Sequence, residues 1–532
     1  MKTINMKLKN IIYVLLFAML LSNISCNDFL ETTAYDFVSP DNFYKNEDEA
    51  LMALAGVYWT LTRENVYGNR YSCMLSNVDD LSYYMRPATQ TVSHVYGNDH
   101  NPSNTDIYNV WQSLYRGIET ANMFLENIDK VEIEEQIKLR LKGEAKFLRA
   151  YYHFLLVQGW KDVPLRKNAF MDVNKSALAA TPQADALDWI IEEMEQCIDM
   201  VDDRVYDLSP SYVKKTVVEG ILARVCLFRA GYPTNGGKPY YEKAAGYAKA
   251  VKESGKHALN TEDMYQMWKF MASDRYDTKY NESMWEAEFI GAREFDGTYT
   301  EGRIGNVIGN IQKNGSPEGL GYSYGFYGCS LILWDLFDED DKRRDLSIAP
   351  YQINEKDEKI SWKNNQIVQR ACGKFRREWE TLKPRHKNYT QENYPILRYA
   401  DVLLMLGEAE NEVNHGPTDL AIEAINTVRQ RAGIDPLPTT LSYEEFQQEV
   451  RDERARELCF ESLRRYDLVR WGIYVDAIKK LGDATNDPRW ATGSNYSTAE
   501  AFALRTAKKH EFFPIPTQEL AINTELRQNP LW

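Results

Sequence analysis

Apolar residues recur along much of this chain at three- and four-residue steps, the spacing that gives a helix one buried face. Ile107, Trp111, Leu114, Tyr115, Ile118, Ala121, Leu125 and Ile128 form one such stripe. Ile133, Ile137, Leu141, Ala145, Leu148, Tyr152 and Leu155 form a second. The pattern continues through Leu187, Ile190, Met194, Cys197 and Val201, then Val218, Leu222 and Val225, then Ala244, Ala245, Ala248 and Val251. Short polar stretches separate the stripes, so neighbouring helices are expected to pack as antiparallel hairpins. Helical pattern returns over residues 395–414 and 420–432. A final long helix is expected from Ser442 toward Leu481, opened by a capping box with Glu445.

The rest of the chain reads differently. From about Gly255 to Gln391 the helical period fades and Gly, Asn, Tyr and Trp become frequent. Residues 302–328 are dense in glycine, which permits tight backbone turns. This region is expected to form loops and short elements set on the helical scaffold. Residues 510–532 are rich in Pro and Asn and read as an extended, docked tail. The fold class is therefore mainly α. Hairpins of this length with Ala and aromatic positions resemble tetratricopeptide-type units, without a strict consensus repeat.

The first residues change the picture of where the chain works. Lys2, Lys7 and Lys9 precede an apolar run from Ile11 to Leu21, too short to span a bilayer and suited to a secretory signal. Cys26 directly after Ser25 points to a bacterial lipoprotein signal: residues 1–25 removed, Cys26 acylated, and residues 26–40 a tether for a lipid-anchored body of residues 41–532. Asn23 stands where such signals usually carry Leu or Val. An ordinary secretory signal with an incidental cysteine is the alternative. Beyond Leu21 no apolar run has transmembrane length.

Charge and cysteine usage narrow the function. Lys and Arg total 63 against 78 Asp and Glu, a net charge of −15, which argues against a nucleic-acid or anionic-membrane binder. Cys73, Cys197, Cys226, Cys329, Cys372 and Cys459 are scattered and none has CxxC spacing, so no zinc knuckle is supported. Cys197, Cys226 and Cys459 fall at helical apolar positions and read as small buried hydrophobes. Export permits disulfides, but the sequence does not pair them.

Few catalytic motifs are present. Gly321-Tyr-Ser-Tyr-Gly325 matches the nucleophile elbow of serine hydrolases, but that chemistry needs a strand before Ser323 and a helix after it, and both flanks read as loop. There is no HExxH motif, P-loop or complete EF-hand loop. Asp338, Asp340 and Asp341 have calcium-ligand chemistry, but Lys342 to Arg344 neutralise them and a solvated charge run is the plainer reading. The alternating charges of Arg451 to Arg470 read as scaffold ion pairs, with Glu461 able to reach Arg464 and Arg465 on one helix. No catalytic residue, metal or cofactor is assigned.

Several segments resemble the SusD/RagB family of outer-membrane nutrient-binding lipoproteins. They are Cys26-Asn-Asp-Phe-Leu-Glu31, Phe43-Tyr44 before Ala50 to Tyr58, and Tyr394-Pro-Ile-Leu-Arg-Tyr-Ala-Asp-Val-Leu-Leu-Met405 with Gly407 to Glu412. Arg451 to Glu461, Arg464 to Gly472, Phe513-Pro-Ile-Pro516 and Gln528-Asn-Pro530 continue the likeness in the expected order. The resemblance implies one α-rich domain on four tetratricopeptide-like hairpins, with variable loops carrying the ligand face. It implies a non-enzymatic lipoprotein on the outer membrane, facing the cell exterior. Such a protein binds oligosaccharide, or alternatively peptide, and caps a SusC-like TonB-dependent transporter. Asp28 and Glu31 are consistent with that family's surface-export signal.

The ligand face is sought among aromatic and polar residues outside the helices, because sugars rest C–H faces on rings and need polar partners for their hydroxyls. Residues 75–98 offer Asp79, Asp80, Tyr83, Tyr84, Arg86, His94, Tyr96 and Asn98. The later region offers Trp285, Tyr299, Tyr322, Tyr324, Tyr327, Trp362 and Trp379. For each alone, core packing and ligand contact are both open; Trp111, on a helix stripe, reads as core. A surface serine hydrolase acting through Ser323 and a purely structural helical adaptor are the readings from other classes.

Overall fold

The computed structural model describes residues 43–86, 95–169, 177–202, 209–295 and 297–532. The proposed signal, the acylation site Cys26, its tether and His94 lie outside the described residues. The scaffold helices are α1 (Glu47–Tyr58), α2 (Thr105–Asn127), α3 (Glu135–Trp160), α4 (Gln183–Cys197), α5 (Lys215–Ala230) and α6 (Lys238–Glu253). Then come α7 (Tyr399–Asn414), α8 (Asp419–Ala432), α9 (Tyr443–Leu458), α10 (Arg464–Arg470), α11 (Tyr474–Ala484) and α12 (Thr498–Arg505). From α1 to α8 each of these helices packs on the next, and α7 also packs on α9. From Arg140 onward α3 is buried on all sides except at Lys142 and Lys146, which makes it the axis of the scaffold. The apolar stripes read from the sequence face one continuous core, and Trp111 is 1% exposed within it. All six cysteines among the described residues are buried and unpaired.

Residues 255–391 form loops, short helices and two-stranded pairings on this scaffold. Two pairings matter most. Strand β1 (Ser82–Tyr84) runs antiparallel to β3 (Tyr327–Cys329), with Tyr84 opposite Tyr327. Strand β2 (Ser283–Ala287) runs antiparallel to β4 (Tyr394–Arg398). The second corrects the expected helix start at Pro395. The Tyr-Pro-Ile-Leu-Arg segment is extended because a distant strand supplies its partner, and the helix begins only at Tyr399.

The expected single helix from Ser442 to Leu481 is also corrected. Its capping box forms as read, Ser442 accepting from Glu445 N–H and Glu445 accepting from Ser442 N–H. The helix stops at Leu458, and Phe460 and Ser462 take positive φ values of 64° and 60°. The break turns Glu461 away from Arg464 and Arg465, its expected partners. Glu461 instead meets Arg398 at 2.7 Å and Lys374 at 2.5 Å, all three side chains 2% exposed. The charged stretch is thus a network of ion pairs, as read, but the pairs join distant segments. Arg343 holds Asp341 and Glu453 at 2.7 and 2.6 Å. Arg454 bridges Asp401 and Asp467 at 2.8 and 2.9 Å. Asp341, read as part of a solvated charge run, is buried in this network; Asp338 and Asp340 are exposed.

Candidate functional site

The β1–β3 pairing brings the two candidate-rich regions together. Side chains alternate across a strand, so Tyr83 and Tyr84 diverge. Tyr83 is 3% exposed, packs at 5.0 Å on Trp490 and donates its hydroxyl to the Val368 carbonyl at 2.7 Å. Tyr84 emerges half-buried and stacks on Tyr96, ring centroids 3.6 Å apart and planes 20° apart. Beyond β1, Met85 N–H donates to the Phe326 carbonyl at 2.7 Å, which draws the Tyr322–Phe326 loop alongside. Tyr324 and Phe326 stack at 4.6 Å, and Tyr322 meets Tyr324 edge-on at 4.9 Å. Gly325 between the stacked pair has φ of +55°, and a Cβ there would lie 2.4 Å from Ile311 Cγ1, so the turn requires glycine.

The exposed Arg86 joins these ring systems. Its guanidinium lies 4.7 Å over Phe326 and 5.4 Å over Tyr324, a cation–π arrangement that holds a long side chain flat on an aromatic surface. A cavity opens on either side of it. One, about 420 Å³, is lined by Arg86, Tyr324, Phe326, Trp362, Asn495 and Tyr496 among others. The second, about 210 Å³, is lined by Arg86, Tyr84, Tyr96, Asp99, Ser497 and Arg505 among others. Thr498, at the start of α12, donates its hydroxyl to the Tyr84 carbonyl at 2.6 Å and fixes that wall. Burial, and then the neighbouring Tyr84, hold the Tyr96 phenol well above its ordinary value, and burial raises Tyr84 as well. Both rings therefore stay neutral, with hydroxyls able to donate. Three larger cavities, two of about 530 Å³ and one of about 500 Å³, exist elsewhere among the described residues, but none is lined by more than one tyrosine or by a stacked pair.

Tyr84, Arg86, Tyr96, Tyr322 and Tyr324 are thus gathered as the sequence suggested, with Trp362 beside them. Other candidates are corrected by their burial. Asp79 is 2% exposed and accepts from the Leu81 and Ser82 N–H groups at 2.9 and 3.2 Å; burial, then the adjacent Asp80, push its carboxyl up to about 7. Asp80 is 4% exposed and forms a two-pronged pair with Arg464, both contacts 2.9 Å. Asn98 bonds Thr506 and Tyr474 in the interior. Trp285 is fully buried against Phe147 and Tyr151. Tyr327 is 1% exposed and supports Tyr84 from beneath. These residues pack in the interior, and none of them lines either cavity. Tyr299 lies apart from both cavities, against Trp59 and Arg293, and Trp379 packs on Tyr265 and Arg376.

Sequence reasoning missed Phe326 and the wall formed by residues 494–505. The run Gly493-Ser-Asn-Tyr-Ser497, small and polar around one aromatic, is the loop signature that could have found it. Ser323 is 2% exposed, and its hydroxyl bonds the Asn306 and Gly309 carbonyls at 3.3 and 3.1 Å. It has neither the exposure nor the base of a nucleophile.

The SusD family model matches residues 281–532, and a second model, described as starch-binding associating with outer membrane, matches residues 28–227. SusD-like protein P25 of Formosa agariphila is 25% identical, the match covering 98% of each chain. SusD-like protein P2 of the same organism is 25% identical over 96% of this chain and 97% of its own. Among solved structures, a SusD homologue from Bacteroides thetaiotaomicron superposes with a TM-score of 0.81 at 29% identity, covering 93% of this chain and 98% of that one. A laminarin-binding SusD-like protein shares the fold with a TM-score of 0.71 at 22% identity, covering 92% and 100%. With two family matches in chain order, and SusD-like relatives matched along nearly its whole length, this chain belongs to the SusD family.

Proposed function

We propose that the chain captures oligosaccharide, without turning it over, in the double cleft around Arg86. The observation that carries this reading is the ring assembly of Tyr84, Tyr96, Tyr324 and Phe326, stacked in pairs and bordered by two cavities that share one arginine. Flat apolar rings receive sugar C–H faces, while Arg86, Asp99, Asn495 and Ser497 supply donors and acceptors for hydroxyls. Support comes from relatives of the same fold named as laminarin-binding and as surface glycan-binding proteins. In this reading Cys26 carries the lipid anchor, the body faces the cell exterior, and the bound glycan passes to a SusC-like TonB-dependent transporter.

Calorimetry of the chain from residue 27 onward, against a panel of polysaccharides and unstructured peptides, tests it. Saturable glycan binding is expected, weakened at least tenfold in Tyr84→Ala and in Tyr324→Ala, about 1.4 kcal/mol each. Binding to peptides alone, or glycan binding untouched by both substitutions, overturns the assignment.

A further inference from the structure

Behind the cleft wall two imidazoles meet. His100 follows the cleft-lining Asp99, is 5% exposed, and has no hydrogen-bond partner among the described residues for either ring nitrogen. Its ring lies 5.5 Å from that of His510, 5.0 Å from the Trp532 indole and 5.9 Å from Phe513. His510 is 2% exposed, and its Nδ1 accepts from the Ala507 N–H at 3.0 Å, so that nitrogen carries no proton. The Trp532 indole N–H donates to the Lys509 and Phe512 carbonyls and closes the cluster.

The charged groups around the pair are cations. Arg465, from the first turn of α10, donates to the His510 carbonyl at 2.6 Å, and the Lys509 ammonium lies 4.3 Å over the Trp532 ring. The nearby carboxylates are engaged elsewhere: Glu511 with Tyr232 and Lys508 at 3.1 and 3.0 Å, and Asp99 at 3.9 Å from Arg505. A proton added to either imidazole meets apolar rings and positive charge. It also sets an N–H of His510 against the Ala507 N–H, or leaves His100 charged with no acceptor.

This cluster joins one wall of the smaller cavity to segment 508–532, which follows the other wall in the chain. The segment 95–100 contributes Tyr96, Gly97 and Asp99, and α12 contributes Thr498, Phe502 and Arg505. Asn98 crosses between them, donating to Thr506 Oγ1 at 2.9 Å and to the Tyr474 hydroxyl at 3.3 Å, and Arg465 links that tyrosine to the His510 carbonyl.

We propose that His100 and His510 form a proton-responsive latch: neutral, they fasten segment 508–532 to the 95–100 loop, and on acidification they release it and loosen the cleft wall. Burial, and then the neighbouring cations, hold both imidazoles below the ordinary histidine value, His510 at about 3; for His100 the other imidazole adds to the effect. Each binds a proton more readily when released than when docked. Docking is therefore fully favoured above about pH 6.5 and is lost as pH falls below it, the release equilibrium shifting about 30-fold by pH 5 through His510 alone, with His100 acting in the same direction. That this tunes glycan retention rests on the cleft being the binding site.

Hydrogen exchange read by mass spectrometry on the full-length protein, corrected for intrinsic pH effects, tests the latch at pH 7.5 and 5. Segments 95–100 and 508–532 are expected to open at least 30-fold more at pH 5, while residues 140–160 of α3 stay protected. In His100→Phe with His510→Asn, which keeps ring packing and the Ala507 acceptor, this difference is expected to vanish. An unchanged wild-type exchange between the two pH values overturns the latch, as does a rise spread equally through α3 or an undiminished response in the double variant. Laminarin and soluble starch are titrated in parallel. If exchange responds to acid while neither glycan binds at either pH, the latch stands and the binding site falls.

Discussion

Asp80 and Tyr84 lie four positions apart and have opposite fates. Asp80 is drawn inward by Arg464, whose guanidinium is itself mostly buried, with 11% of its side chain exposed. Removing one partner of a buried pair leaves the other charge without compensation, which costs about 3–5 kcal/mol. Asp80→Asn is therefore expected to lower unfolding free energy by about 3 kcal/mol in urea denaturation and to leave glycan affinity within twofold. A carboxylate that touched sugar would reverse that ranking. Composition alone does not separate the two roles: both residues sit in one aromatic- and acid-rich stretch, and the distant Arg464, which no local pattern announces, is what draws Asp80 inward. Tyr84, Arg86, Tyr96, Tyr322 and Tyr324 stood among the candidates because their stretches break the helical period, a signal that did not separate them from Tyr83 and Tyr327, which are buried. Phe326 and Tyr496 did not, since the first looks like ordinary packing and the second comes from a segment remote in sequence.

At the level of elements, legibility follows the range of the forces involved. The helical stripes of α2 to α6 are local signals, three or four residues apart, and each appears where its period places it. The capping box at Ser442 is equally local. Ser442→Ala removes the acceptor for Glu445 N–H at an exposed helix start, and a loss of about 1 kcal/mol in chemical denaturation is expected. A change of less than about 0.3 kcal/mol would mean that packing of α9 alone fixes where the helix begins. The helix break after Leu458 was not legible, because no glycine or proline marks it. It arises where Glu461 must reach Arg398 and Lys374, partners contributed by other parts of the chain. The strand at Tyr394–Arg398 was hidden for the same reason, its register being set by Ser283–Ala287.

For the molecule as a whole, buried charge links the amino- and carboxy-terminal halves of the scaffold. Asp401 on α7 receives Arg224 from α5 at 2.7 Å and Arg454 from α9 at 2.8 Å, and Arg454 also holds Asp467 on α10. Three helices thus converge on a carboxylate that is 1% exposed, and α10 joins them through Arg454. Against the effect of its burial, Arg454 and then Arg224 hold the Asp401 carboxyl at about 2. Glu457 is likewise buried, and Arg431, Arg398 and Arg343 keep it far below the ordinary range. A carboxyl lowered by folding adds stability that is complete above its unfolded value, about 4, and is lost as pH falls through the folded one. Below about pH 4 each such carboxylate is therefore expected to add about 1.4 kcal/mol per pH unit to the decline of thermal stability, on top of the loss that the buried histidines begin below about pH 6.5. Asp401→Asn should unfold at lower temperature at pH 7, since Arg224 and Arg454 lose their shared anion, yet show a shallower decline below pH 4. A variant whose acid decline is as steep as that of the parent would mean that the halves are held together by apolar packing, with the central carboxylate contributing nothing to the acid transition.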